Sequence, residues 1–119
     1  MRISGRRESN ITILDVHGRV IGDASVELRR LINGWLAEVP EGEKPNVILK
    51  LDKVSVMDSS GLGVIVASYA SVQKKGGRLV LVGLGRGLQN LVTITRIAMI
   101  LDVYETEEEA ILSFQNVQE

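Results

Sequence analysis

Apolar residues in this chain fall into short runs and helical stripes that alternate from about residue 11 onward. Ile11, Ile13, Leu14 and Val16 read as a strand ending at Gly18. Residues 2–4 are expected to pair with it across a polar connection at 5–10. Asp23 is placed to cap a helix, after which Leu28, Leu31, Ile32, Trp35 and Val39 follow the spacing of one buried stripe. Pro40-Glu41-Gly42-Glu43 ends that helix. Val47-Ile48-Leu49-Lys50-Leu51 is a short apolar run between turn signals, the pattern of a strand buried on both faces. A second helix is predicted over 60–75, closed by a basic last turn and Gly76-Gly77. It is apolar nearly all round, so deep packing or partial cover by a partner is expected. Residues 78–82 read as the next buried strand. Leu88, Leu91, Val92 and Thr95 suggest a third helix, and 101–104 a short strand. The last helix is predicted over 107–114, with Ala110, Ile111 and Phe114 inward. Its acidic start, Glu107-Glu108-Glu109, suits the positive end of the helix dipole.

Strands and helices alternating in this way predict an α/β fold. The expected architecture is a single domain over 1–119, with its core at about 10–115. It has a mixed, mostly parallel sheet of 4–5 strands, about four helices and one N-terminal antiparallel pair. No linker, repeat or low-complexity segment interrupts the pattern.

Composition narrows the function classes. At 119 residues and 45% hydrophobic, the chain can bury one core without metal or disulfide staples. It has no cysteine, which removes disulfides, thiol chemistry and Cys-ligated metals. Its 14 basic and 15 acidic side chains leave a net charge of -1, and aromatics make up 3%. Neither a cationic face for a phosphate backbone nor a stacking platform for bases is in prospect, so nucleic-acid binding is disfavoured. Arg2, Arg6 and Arg7 precede no apolar signal-peptide core, and the apolar run at 64–67 is far short of the roughly 20 residues of a membrane span. A soluble cytoplasmic protein is expected.

The segment Val54-Ser55-Val56-Met57-Asp58-Ser59-Ser60-Gly61-Leu62-Gly63 carries the most chemistry. A buried strand empties into a turn with one carboxylate and two hydroxyls, and a helix begins with two glycines in its first turn. Such a turn sets a hydroxyl beside the unpaired N–H groups of a helix N-terminus, where an added phosphate is tolerated by the fold. Plain capping by Asp58 or Ser59 is the simpler reading, and capping and switching are compatible. An enzyme with a nucleophilic serine is a poor alternative. Met57 stands where the first glycine of G-x-S-x-G belongs, and the one histidine, His17, closes a distant strand. With one histidine and no cysteine, neither a catalytic triad nor a His-based metal cluster is expected. Gly83-Leu84-Gly85-Arg86-Gly87-Leu88 follows a strand but has Leu88 at the third glycine position of a dinucleotide loop, and reads as a strand-to-helix connection in which Arg86 could touch an anion. Asp52 and Asp58 read as loop-end carboxylates rather than an acid–base pair.

Met57-Asp58-Ser59-Ser60-Gly61-Leu62-Gly63 resembles the anti-sigma-factor antagonist family of STAS domains. Gly18-Arg19-Val20, Val47-Ile48-Leu49-Lys50-Leu51, Lys75-Gly76-Gly77-Arg78-Leu79, the stretch from Ile94-Thr95-Arg96-Ile97 to Val103-Tyr104, and Glu109-Ala110-Ile111-Leu112-Ser113-Phe114 extend the resemblance over about 10–115. It implies a non-enzymatic switch. Unphosphorylated, the antagonist binds an anti-sigma factor that is also a serine kinase, and so frees a sigma factor. Phosphorylated on the serine after the aspartate, here Ser59, it lets go until a serine phosphatase resets it. Ser60 is the alternative acceptor. ATP and Mg²⁺ belong to the kinase, so no cofactor is assigned to this chain. The resemblance implies partner contact through Asp58, Ser59, Ser60, Gly61, Leu62, Gly63, Arg19 and Asp23, and a homodimer is compatible with it. Arg19 stands where many members carry an acid, which bears on the partner's identity. The other role implied is a constitutive scaffold, or a soluble subunit of a stress-signalling or lipid-transport complex.

Overall fold

The computed structural model describes residues 1–85, 88 and 100–115. Five strands form one sheet in the order β1-β2-β3-β4-β5. They are β1 (Arg2–Glu8), β2 (Ile11–Val20), β3 (Asn46–Met57), β4 (Arg78–Val82) and β5 (Val103–Tyr104). The first pair is antiparallel and the other three are parallel. Three helices are described: α1 (Asp23–Ala37), α2 (Ser59–Lys74) and α3 (Glu107–Gln115). The expected helix around Leu91, Val92 and Thr95 lies outside the described residues, as do Arg86 and Gly87; Leu88 is buried.

The apolar run of β3 is explained by cover on both faces. Leu49, with Leu14 of β2 and Leu81 of β4, joins the core beneath α1 and α2, where Leu28, Ile32, Ile65 and Val72 meet it. Ile48, with Ile13 and Val80, faces the other way, against Ala110 and Phe114 of α3. Because α3 is short, this second face turns polar beyond its reach. Asp15 follows Ile13 there, and its Oδ2 lies 3.4 Å from His17 Nε2 and 3.5 Å from Lys53 Nζ. Lys50 reaches Glu107 at 3.2 Å, and Arg6 pairs with the same carboxylate. Arg78 stitches β4 to the C-terminal segments through Asp102, the Tyr104 hydroxyl and Ser113 Oγ, and lies over the Phe114 ring.

Several element ends differ from those the sequence pattern predicts. The antiparallel pair runs to Glu8↔Ile11 rather than stopping at residue 4. Ser9 and Asn10 take φ of 51° and 70°, the left-handed pair that closes a two-residue hairpin of matching twist. β2 passes Gly18 to Val20, with register shifts between Asp15 and His17 and between Gly18 and Arg19. These irregularities break the alternation that points to an end at Gly18. β3 continues to Met57 alongside it, and α1 stops at Ala37, before Val39. Asp23 does not cap α1. The cap position is Gly22, with φ 57°, which has no side chain of its own to cap the helix; Asp23 lies inside the first turn. α2 is not deeply packed all round. Gly61, Leu62, Val64, Ile65, Ser68 and Val72 face inward, while Gly63, Val66, Ala67 and Ala70 are exposed.

Candidate functional site

β2, β3, β4 and β5 run in one direction, so the connections leaving them collect along one edge of the sheet. Ile21-Gly22, Asp58 and Gly83-Leu84-Gly85 stand there. At the end of β3, Met57 is buried and pairs with Val20, and the Asp58 N–H donates to the Val20 carbonyl at 3.2 Å. The chain then turns into α2 with Asp58 at the cap position.

One carboxylate organises this turn. Asp58 Oδ1 accepts the backbone N–H groups of Ser60 and Gly61, each at 3.1 Å, and the Ser60 hydroxyl at 2.6 Å. Asp58 Oδ2 accepts the N–H of Gly22 at 2.9 Å, from the other side of the edge. These donors favour the ionised form. The Ser60 hydroxyl leads, followed by the Gly22 and Gly61 amides, and together they lower the Asp58 pKa from 3.8 to about 2. Near neutral pH Asp58 is therefore a fixed anion and a clamp, not an acid or base.

Ser59 is treated differently from its neighbour. It is the first residue of α2, it is exposed, and its hydroxyl has no hydrogen-bond partner among the described residues. Ser60 is also exposed, but its hydroxyl is committed to Asp58. A phosphate on Ser59 would sit at the positive end of a 16-residue helix, which favours an anion.

The two glycines of the turn play opposite parts. A Cβ on Gly61 would lie 2.8 Å from Met57 Cγ, 2.9 Å from Val20 Cγ1 and 3.1 Å from the Val20 carbonyl, so the missing side chain is what lets α2 sit on β2 and β3. Gly63 is exposed, and a Cβ there meets nothing within 4 Å. The expectation that Gly61 and Leu62 form contact surface is not met. Both are buried, and they hold the turn in place from beneath. Ser59, Ser60 and Gly63 are what the turn shows to solvent, with Arg19 near the end of β2 and Asp23 in the first turn of α1 also exposed.

Three further contributors are not singled out by sequence. Val26 and Arg29 of α1 line a cleft of about 290 Å³ with Ser25, Ser60, Gly63 and Val64. Val26 is 68% exposed, and that apolar residue on the polar side of α1 is the available signal. Gly22 carries no signal at all, because its role depends on a carboxylate 36 residues away.

The other sequence candidates go elsewhere. His17 pairs with Asp15 on the charged part of the sheet face. Asp52 is exposed six residues before Asp58, about 20 Å along an extended strand, and the two share no hydrogen-bond donor. Gly83 has φ 72° and packs against Asp52, which its Cβ would meet at 2.6 Å, so this loop is shaped by close packing. Among the described residues no group of three or more His, Cys, Asp or Glu could hold a metal, and no helix is long and apolar enough to cross a membrane.

A sheet of this order, with a capped serine turn at its edge, defines a small α/β domain. The family model for the STAS domain matches residues 2–110, and the chain belongs to that family. It is 38% identical over 68 residues to an anti-sigma-B factor antagonist of Listeria monocytogenes, a match covering 56% of this chain and 60% of that relative. The match thus spans less than two thirds of that relative's length. It is 32% identical over 94 residues to the anti-sigma-B factor antagonist of Bacillus subtilis strain 168, covering 79% of this chain and 85% of the relative. In fold it is similar to the anti-sigma factor antagonist SpoIIAA in its unphosphorylated form (TM-score 0.78, 17% identity, 99% of this chain and 100% of that one). It is also similar to Bacillus SpoIIAA in the phosphorylated form (TM-score 0.71, 19% identity, 95% and 99%).

Proposed function

We propose that this chain is an anti-sigma-factor antagonist, a protein-binding switch whose phosphate acceptor is Ser59. The observation that carries this reading is the contrast within the turn. The Ser59 hydroxyl is exposed at the start of α2 and unengaged among the described residues, while the groups around it are clamped by Asp58. The family relationship and the SpoIIAA forms named above support it.

In this reading the unphosphorylated chain presents Ser59, Ser60, Gly63, Arg19 and Asp23 to an anti-sigma factor that is also a serine kinase. Binding frees the sigma factor. The smooth outer side of α2, with Gly63, Val66, Ala67 and Ala70, lets a partner surface come close, and Val26 adds an apolar contact. The kinase brings ATP and the metal; this chain contributes the acceptor and does no chemistry of its own. Phosphate adds roughly -1.5 to -2 charge, tolerated by the α2 N-terminus but costly to desolvate inside a close interface. A change of about 1.4 kcal/mol is tenfold in affinity, so one phosphate suffices to release the partner without refolding the domain. A serine phosphatase resets the switch.

Incubation with the kinase-type anti-sigma factor of the source organism and ATP tests this. Phosphate should map to Ser59, and Ser59→Ala should abolish labelling. Undiminished labelling of Ser59→Ala would sink the assignment.

A further inference from the structure

The hydrogen bonds of the turn do more than cap one helix. Asp58 Oδ1 holds the start of α2, and Oδ2 holds Gly22, the residue that opens α1. α1 has no side-chain cap of its own, and Gly22 is exposed, so the Asp58 carboxylate is what protects the Gly22 amide. The Ser60 hydroxyl, 2.6 Å from Oδ1, makes the shortest of the hydrogen bonds that orient this carboxylate, alongside the Ser60 and Gly61 amides at 3.1 Å. The cleft residues Ser25, Val26 and Arg29 follow directly from Gly22 on α1, and Ser60, Gly63 and Val64 from Asp58 on α2. The two walls of that cleft are therefore joined at their origin by one side chain.

We propose that Ser60 is a positioning residue: it latches Asp58 across the starts of α1 and α2, leaves Ser59 as the free acceptor of the turn, and would unlatch both helices if it were itself phosphorylated. The proposal rests on the switch reading for its biological use, but the latch is a property of the chain alone. A phosphate on Ser60 removes the hydroxyl proton that Asp58 accepts and sets two like charges within hydrogen-bonding distance. The carboxylate must rotate away, and Gly22 then loses its acceptor. A phosphate on Ser59 displaces no existing hydrogen bond. Adjacent serines thus have unlike consequences: Ser59 changes what a partner meets, and Ser60 changes how the chain is assembled.

The test needs no kinase. The chain is prepared with phosphoserine installed genetically at 59 or at 60, alongside Ser60→Ala and Ser60→Thr. Amide exchange at Gly22 and the Asp58 carboxyl titration are followed by NMR. Ser60→Ala should speed Gly22 exchange about tenfold, the scale expected for loosening a hydrogen bond to a charged group, and raise the Asp58 pKa toward its ordinary value. Ser60→Thr should restore both. Phosphoserine at 60 should speed Gly22 exchange at least as much as Ser60→Ala, and phosphoserine at 59 should leave it unchanged. If Gly22 exchange is the same in Ser60→Ala as in the unmodified chain, the latch is refuted. The alanine variant decides this even if the phosphoserine-60 chain fails to fold. The switch reading fails on a different readout, an unchanged partner affinity when phosphoserine is at 59.

Discussion

Substituting alanine at Gly61 and at Gly63, two positions apart in one helix, should move stability in opposite directions. In an exposed helix interior, glycine to alanine gains about 0.5–1 kcal/mol from helix propensity and from a less disordered unfolded chain. Gly63 meets those conditions, since it is exposed and a Cβ there finds open space. Gly61 does not, because its Cβ would overlap Met57 Cγ at 2.8 Å and Val20 Cγ1 at 2.9 Å. The third neighbour is the Val20 carbonyl at 3.1 Å, which accepts the Asp58 N–H and cannot retreat without breaking the strand end. Overpacking of this kind costs about 1–3 kcal/mol, more than the propensity gain. The expected net is a loss of about 1–2 kcal/mol for Gly61→Ala and a gain of about 0.5–1 kcal/mol for Gly63→Ala. For a domain of this size the corresponding melting-temperature shifts are about -4 to -8 °C and +2 to +4 °C. Urea melts with a common slope, followed by circular dichroism, provide the measurement. A Gly61→Ala chain as stable as the parent would show that the close approach of α2 to β2 is misassigned. A destabilised Gly63→Ala chain would show that this face is not open.

Three further outcomes follow from the same geometry. The Asp58 pKa is lower in the folded chain, about 2 against 3.8, so its contribution is complete above the unfolded value and is lost as pH falls through about 2. Acid melts of Asp58→Asn should therefore be less steep than the parent between about pH 4 and 2, the window bounded by those two values; identical slopes would contradict the clamp. Gly77→Ala should be severely destabilising, by about 3 kcal/mol or more, because the new Cβ would lie 1.7 Å from the Pro45 carbonyl, itself bonded to the Arg78 N–H. A near-neutral thermal melt would refute it. Replacing Ser9-Asn10 by Asn-Gly should stabilise by about 0.5–1 kcal/mol, since both positions are left-handed, and a lower midpoint would show that the hairpin is held by something other than turn conformation.

Features that depend on neighbours in the chain could be read from the sequence. The buried run 47–51 announced itself because both faces of β3 are covered, and the Gly76-Gly77 exit because it is a local turn. The serine turn stood out through its residue types alone. β1 was visible only in part, since it is a polar edge strand with no apolar pattern beyond Ile3; its length comes from pairing with β2. The far ends of β2 and β3 were hidden by the register shifts after Asp15 and Gly18. Asp23 looked like a cap because it is a local carboxylate, yet the group that binds Gly22 comes from Asp58. Gly61 and Gly63 are the same letter in the same motif. Only Val20 and Met57, brought together by parallel pairing, make one of them structural and leave the other at the surface.

A phosphate on Ser59 should act on the partner and leave the fold alone, and one comparison decides whether it does. Calorimetry gives the affinity of the chain for the kinase-type anti-sigma factor proposed as its partner, unmodified and with phosphoserine at 59, with the NMR spectrum of each free chain recorded alongside. At least a tenfold loss of affinity is expected, with spectral changes confined to residues adjoining Ser59. Equal affinities for the two forms would contradict the switch.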